Sequence, residues 1–509
     1  MIHRRGGQQW SNIHVTESTT LDDLIDVDNR AQGGPQPTGF ALLKQAARDL
    51  DRLAQEAATS GKRIRALGSA WALTDIAITD GWLINTKAVN GCFDIADKHF
   101  VPGYPADKRP LVALVQAGMS IGELNVYLEV TAQNGIRRSL KTAGIGAGQT
   151  IAGAVSGNTH GSGIKFGAMP DFVVGLQIVT GSGQSLWLER ATQPVVNDDF
   201  IAQLNCVAIR DDDVFKAAIV SFGAFGIITA VLIETDRIYQ LKFPPVHDIS
   251  HSQLKQKLNN FNFNDPPDLY HYEFVFDPYG NEEMAMEAVA TRVNHQEGFP
   301  LPTPRWIVRS TQGYSLGDKA AGGILGLPVP PNTISKFQFA QYREKAILTD
   351  VRGTPGQLFT ATITYWEGYT ESAVGVSIND AARMMEISTA VIRELKLPAI
   401  SQVRLVNQSK ALLGFTQLGP KTAVFEFGLK TGPTFQQFEN KLTAALTAAG
   451  IRYTLHWSKN AGIDPQKLNT MYGADRIARW RAARRRVFND NQTLMRVFEN
   501  DHLVRAGLN

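Results

Sequence analysis

The sequence predicts an α+β protein of two lobes, and three observations carry that reading. Up to about residue 235 a helical run leads into short β-prone runs separated by glycines. From about Leu241 the texture changes to longer strands and more aromatics. With 509 residues, of which 43% are hydrophobic, the chain is long enough for two to four units and a cleft between them.

The first ordered unit begins near Pro37, where Leu43, Ala46, Leu50, Leu53 and Ala57 recur at helical spacing and stop at Gly61, a glycine suited to end a helix. Arg63 to Leu67 fits a strand that ends on Gly68-Ser69, and Thr79-Asp80-Gly81 turns the chain into a second strand at Trp82 to Asn85. A third strand, Leu111 to Gln116, runs into Ser120-x-x-Glu123, a capping box for the next helix. Phe172 to Thr180 and Ser185 to Leu188 are β-prone runs joined by Gly181-Ser182-Gly183, followed by a helix over Asp213 to Phe222 and a strand at Ile227 to Ile233. In the second lobe a Gly- and Pro-rich loop spans Gln312 to Thr333, a helix follows Ser377-x-x-Asp380, and Thr422 to Leu429 is a strand. A helix opening at Thr434-x-x-Gln437 closes at Gly450, and the strand Arg452 to Leu455 delivers His456-Trp457-Ser458-Lys459 to a loop. The tail, Asp475 to Phe498, is helical and Arg-rich.

The balance of 51 Lys+Arg against 48 Asp+Glu leaves a net charge of +3, too weak to argue for a nucleic-acid or membrane-surface partner. The basic tail helix therefore reads as a solvated face with ion pairs to the other lobe. Cys92 and Cys206 are lone cysteines, with neither a disulfide framework nor a thiolate metal site, and no HExxH or GxxxxGK[ST] occurs. No metal is expected. The run after Met1 is polar rather than apolar and no window of 18 apolar residues appears, so the expected location is cytoplasmic.

Seven glycines fall between Gly144 and Gly163. Gly144-Ile145-Gly146-Ala147-Gly148 is GxGxG rather than GxGxxG and lacks a βαβ frame, which speaks against a nicotinamide site. Standing alone, the glycines would make only tight turns. However, three separated segments share this character: Ala66 to Trp71 at a strand end, Ile151 to Gly163, and Ser221 to Thr229. Each offers consecutive N–H groups unhindered by side chains, which suits a pyrophosphate held by backbone.

In order and spacing these segments resemble flavoproteins of the vanillyl-alcohol oxidase and p-cresol methylhydroxylase type, and most closely the sugar-1,4-lactone and alditol oxidase branch, over residues 38–235 and again 400–509. The resemblance implies a two-part FAD-binding domain and a cap domain with a large antiparallel sheet. Gly68, Ser69, Ala70, Trp71 and Ala72, with Thr159, His160 and Gly161, would touch the pyrophosphate and flavin, and Ile227 and Ile228 would receive the adenine. Leu67, Gly148, Ile151, Gly153 and Gly226 complete the implied cofactor set. Many relatives carry a histidine that bonds the flavin where Trp71 stands here, so noncovalent FAD is expected.

A flavin takes a hydride at N5, which requires a group for the hydroxyl proton and positive charge near the reduced ring. On the strand Ser401-Gln402-Val403-Arg404, Gln402 and Arg404 face one side. The family carries Glu-x-Arg there, both contacting substrate, so Gln402 leaves an amide that cannot take a proton. Lys459 is the leading candidate base, because the His456 to Lys459 run resembles a family His-Trp-Gly-Lys and burial beside Arg404 would lower its pKa. His456 is the second candidate, and as part of that motif it also belongs, with Lys459, to the cofactor set; Glu426 could also face the cavity.

The function expected is an FAD-dependent oxidoreductase removing a hydride from a C–OH or C–NH group of a small polar molecule, with oxygen or another acceptor. Alternatives are a tailoring oxidase acting on a larger organic substrate and a degenerate FAD-fold binding protein. The expected boundaries are an extension over 1–37, an FAD domain over 38–240, a cap over 241–450 and a C-terminal segment, 451–509, that returns to the FAD domain.

Overall fold

The computed structural model describes residues 1–30, 37–261, 267–280, 284–298, 330–345, 348–360, 369–460 and 462–509. Most of the Gln312 to Thr333 loop therefore lies outside the described residues.

The first lobe holds two sheets. Strands Ile2–Arg4, Asp23–Asp28, Trp82–Ala88 and Ile64–Leu67 form a four-stranded sheet in that order, parallel except for its first pair. Residues 2–28, read from the sequence as lying before the first ordered unit, thus supply two of its strands; they are short and partly polar, so periodicity does not reveal them. The helix Phe40–Thr59 buries Leu43, Ala46, Leu50, Leu53 and Ala57, and Gly61 beyond it has φ 63°. The second sheet runs Cys206–Arg210, Ser185–Glu189, Val173–Val179, Ile227–Glu234, Val112–Gln116, Cys92–Asp94. Its central strands are buried on both faces, as continuous Val/Ile/Leu runs require. At Ser120 and Glu123 the capping box is fully formed.

The helix expected to reach Phe222 ends at Ala218. Phe222 instead takes a left-handed conformation, φ 54°, followed by Gly223 at 73° and Gly226 at 108°. A Cβ on Gly226 would stand 2.3 Å from the Val179 carbonyl, so the turn into Ile227–Glu234 requires glycine.

The second lobe is a nine-stranded antiparallel sheet ordered Val351–Gly353, Tyr239–Phe243, Ala285–Asn294, Leu269–Phe276, Ser401–Asn407, Lys421–Lys430, Tyr369–Ser377 and Tyr453–Leu455, with His247–Ile249 added alongside Ala285–Asn294. Helices Ala381–Glu394 and Pro433–Ala448 pack together; the second starts earlier than the Thr434 box predicts, because Pro433 fits its first turn. The tail returns as Pro465–Val487, kinked at Gly473, then Gln492–Val497 and Asp501–Arg505. It packs on the helix Asp212–Ala218, with Trp480 and Arg484 buried. Arg484 corrects the expectation of a solvated face: it donates to the carbonyls of Ala224 and Met495, while Arg479 and Arg486 pair with Asp213 and Asp211.

Candidate active site

The strand Ile64–Leu67 ends in the loop Gly68 to Ala72, which lies against the glycine segment. A Cβ on Gly68 would stand 2.1 Å from Thr150 Oγ1, and one on Gly146 would stand 2.5 Å from the Trp71 ring. Ala70 has φ 58°, and Ser69 Oγ is buried without a hydrogen-bond partner. From this loop Leu73 N–H donates to the Ser458 carbonyl at 2.8 Å and Thr74 Oγ1 to the Trp457 carbonyl at 3.0 Å. Gly157 faces Ser458 Oγ, and a Cβ on Gly161 would stand 2.3 Å from the Ala143 carbonyl. Residues 67–72, 143–161 and 457–459, far apart in sequence, thus lie side by side. The short helix Ile151–Ser156 exposes Gly153, Gly148 is half-buried, and Thr159 Oγ1 donates to Gln149. Ile227 and Ile228 pair with Val179 and Ile178 on the second sheet. The orphaned Ser69 hydroxyl and the glycines whose Cβ atoms would collide fit a phosphate-bearing cofactor held by backbone.

The cap sheet delivers the charged groups. Neighbouring strands place Gln402 opposite Glu426 and Arg404 opposite Glu273. Arg404 Nε meets Glu426 Oε2 at 3.1 Å, and Lys459 Nζ sits 2.5 Å from Glu426 Oε1 and 2.6 Å from Glu371 Oε2. Burial disfavours ionised Glu426, but Arg404 and Lys459 outweigh it and hold the carboxyl far below its usual range. Burial likewise disfavours the Lys459 ammonium, yet Glu371 and Glu426 leave its pKa above the ordinary lysine value. The expectation that burial beside Arg404 lowers it is therefore corrected: two carboxylates, not the guanidinium, are its contacts.

His160 and His456 lie 5.7 Å apart, ring to ring, around Phe415. Burial pushes His160 down to about 4 and His456 well below the usual histidine value, so both rings are neutral. Ser458 N–H donates to His456 Nδ1 at 3.1 Å, and His160 Nε2 is 4.0 Å from Glu426. Trp457 is a core residue, stacked on Tyr472 and donating to the Leu413 carbonyl.

The sequence reading missed Glu273, His271, Tyr342 and Glu371. Glu273 accepts from Tyr342 OH at 2.7 Å, from the Gln402 amide, and lies 3.1 Å from His271 Nε2. Burial opposes its charge, yet His271, Arg404 and Tyr342 hold it down to about 2. A carboxylate therefore stands beside Gln402 after all, supplied by the next strand. His271 and Glu273, two apart in Tyr270-His271-Tyr272-Glu273, share a strand face by the same alternation that pairs Gln402 with Arg404, a signal present in the sequence. Both line a small cavity together with Thr142, Tyr270, Tyr342, Phe359 and Arg404.

Among known proteins, residues 41–189 match the FAD binding domain family. L-gulono-1,4-lactone dehydrogenase of Mycobacterium tuberculosis is 30% identical over 274 residues, covering 53% of this chain and 52% of that protein. D-arabinono-1,4-lactone oxidase of Candida albicans is 28% identical over 200 residues, covering 38% and 31%. The matches thus span about half of the first relative's length and a third of the second's. Cholesterol oxidase from B. sterolicum superposes over 99% of this chain and 97% of its own, with a TM-score of 0.65 at 14% identity, a likeness of fold. Residues 41–189 thus carry an FAD binding domain, and the chain as a whole, with its backbone cradle and antiparallel cap sheet, shares the fold of an oxidase of known structure.

Proposed function

We propose that this protein is an FAD-dependent oxidoreductase that oxidises a C–OH group of a small molecule bound in the cavity beneath the cap sheet. The observation that supports it most is the partly buried Arg404, which lines that cavity and carries the buried carboxylates of Glu273 and Glu426 as neighbours. An FAD-fold chain that had lost turnover would have no reason to keep several buried ionised groups together, since each is expensive to desolvate. C–NH oxidation and a larger organic substrate stay as outcomes of the substrate test below.

In this reading Leu67 to Ala72, Gly148, Ile151, Gly153, Thr159 to Gly161 and Gly226 to Ile228 hold FAD, and His456 and Lys459 approach its ring. Bound FAD supplies the hydride-accepting chemistry. Arg404 provides positive charge at the cavity wall, and Glu426 ties it to the Lys459 ammonium behind it. Gln402 orients Glu273 and, through its carbonyl, is available to a substrate hydroxyl. Because Lys459 is held as the ammonium, it acts as a charge rather than a base. FAD is bound without a covalent link, since Trp71 stands at the family's attachment position and Cys92 and Cys206, both unpaired, lie outside the motifs. No helix among the described residues is long and apolar enough to cross a membrane. A cytoplasmic setting, with oxygen or another small acceptor, completes the proposal.

The test is an absorbance spectrum before and after acid precipitation, followed by anaerobic addition of 1,4-lactones, alditols, aromatic and alicyclic alcohols, and amines. Yellow colour released to the supernatant and bleached by an alcohol is the expected result. Colour kept in the pellet refutes the noncovalent assignment, and flavin that no compound bleaches refutes the oxidoreductase.

A further inference from the structure

We propose that His271, oriented by Glu273, is the group that takes the proton from the substrate hydroxyl; this rests on the alcohol-oxidising reading above. Glu273 sits on the strand Leu269–Phe276 opposite Arg404, and His271 lies two residues earlier on the same face. Both line the cavity. The Glu273 carboxylate receives Tyr342 OH and the Gln402 amide on Oε1 and meets His271 Nε2 at 3.1 Å through Oε2. An ionised carboxylate only accepts, so Nε2 must carry the hydrogen. In the neutral ring Nδ1 is then a bare acceptor, and it is buried with no hydrogen-bond partner. Phe243 edge-on at 5.1 Å and Phe359 stacked at 6.4 Å hold the ring in place.

The other titratable groups of the cavity wall are already committed. Tyr270 donates to the Lys141 carbonyl, and burial pushes its phenol up to about 12. Burial and Glu273 raise Tyr342 further, and its hydroxyl is spent on that carboxylate. Arg404 is a guanidinium. Glu273, held by three donors, is too weak a base. His271 is the acceptor that remains, and its partner Glu273 plays the part of the orienting carboxylate in a base dyad.

The step balances as follows. The substrate O–H bond breaks and its proton moves to His271 Nδ1. With FAD bound, the C–H bond would break and its electron pair would leave with the hydrogen as hydride to the cofactor, so that the substrate would lose two electrons and become a carbonyl compound while FAD took them up. The resulting imidazolium lies against Glu273, which offsets its charge. Arg404, Tyr342 and Tyr270 are the other ionisable groups facing the ring, and Ser162 and Thr142 approach from the glycine segment.

The test compares wild type, His271→Asn and Glu273→Gln as FAD-loaded proteins of matched flavin content, each assayed well below its own melting temperature. Anaerobic flavin bleaching by an alcohol that wild type oxidises is followed from about pH 5 to 9. His271→Asn is expected to slow bleaching by about 10²- to 10⁴-fold and to lose the acid-side fall in rate, with FAD still bound. A readout independent of turnover is the ¹⁵N spectrum of histidine-labelled protein, where the His271 signal, identified by its loss in His271→Asn, should report the Nε2–H form and move in Glu273→Gln. Equal rates and pH profiles in wild type and His271→Asn, or an Nδ1–H ring, overturn the proposal alone. Wild type that binds FAD and is bleached by no alcohol overturns the parent reading and this proposal with it.

Discussion

The glycine loops of the first lobe pack so closely on neighbouring segments that side chains are excluded, whereas the antiparallel sheet of the second presents Glu273, Arg404 and Glu426, met by Lys459 from the loop after its last strand. One half is made by absence of atoms near backbone donors; the other by ionised groups that neutralise one another away from water. Each half should therefore fail in its own way. The loops fail when a methyl is added, because Gly68, Gly146, Gly161 and Gly226 each have a neighbour where a Cβ would go. The sheet fails when a charge is taken away, because the group left behind has no water to solvate it.

The largest effect is expected at Arg404. Arg404→Met leaves Glu426 and Glu273 buried without their guanidinium, and a loss of about 3–5 kcal/mol in urea unfolding is expected, together with near-complete loss of flavin bleaching. A variant of unchanged stability would mean that the sheet tolerates unpaired charge, and the contrast would fall. Acid titration sharpens the same point. Glu273 has a folded pKa of about 2 against an ordinary 4.5, so its stabilisation is fully present above about pH 4.5 and is lost as pH falls from there toward 2. Glu273→Gln should remove about 3 kcal/mol of that pH dependence, seen as convergence of the wild-type and variant unfolding midpoints on acidification.

On the glycine side, Gly161→Ala drives a Cβ to 2.3 Å from the Ala143 carbonyl. Expected is a loss of about 1–3 kcal/mol and poor FAD retention on gel filtration. At Gly68 the obstructing atom is Thr150 Oγ1, a side chain, so Gly68→Ala should lose FAD and the double variant with Thr150→Ala should regain part of it. No recovery would show that the glycine is needed for approach to the cofactor rather than for its fit to Thr150. The smallest effect is expected outside both halves. Arg479→Ala removes a half-exposed pair with Asp213 and should change stability by less than about 1 kcal/mol, with flavin content unaltered.

Much of the first lobe was legible because its signals are local. The helical spacing from Leu43 to Ala57, the Ser120–Glu123 capping box and the glycines need only neighbours a few residues away, and all reappear in the structure. The strands at Ile2–Arg4 and Asp23–Asp28 did not announce themselves, since pairing with Trp82–Ala88 rather than periodicity makes them strands. In the cap, Gln402, Arg404 and Glu426 were found by alternation and resemblance, and the structure sets them on adjoining strands. His271 and Glu273 carried the same two-residue spacing but had no motif to single them out.

The α+β character, the bare-backbone segments and the identity of the residues that carry charge follow from residue type and short-range spacing, and so could be read before the fold was known. The chemistry assigned to each residue depends instead on which neighbours the fold brings to it. Register across the cap sheet puts Glu273 beside Gln402 and Arg404, replacing a carboxylate that the strand at residue 402 lacks. It also brings Glu371 and Glu426 onto Lys459, which reverses the expected direction of that lysine's pKa. Ionisation depends on the charges within a few ångströms and on the exclusion of water, and both are set by residues tens to hundreds of positions apart in the chain.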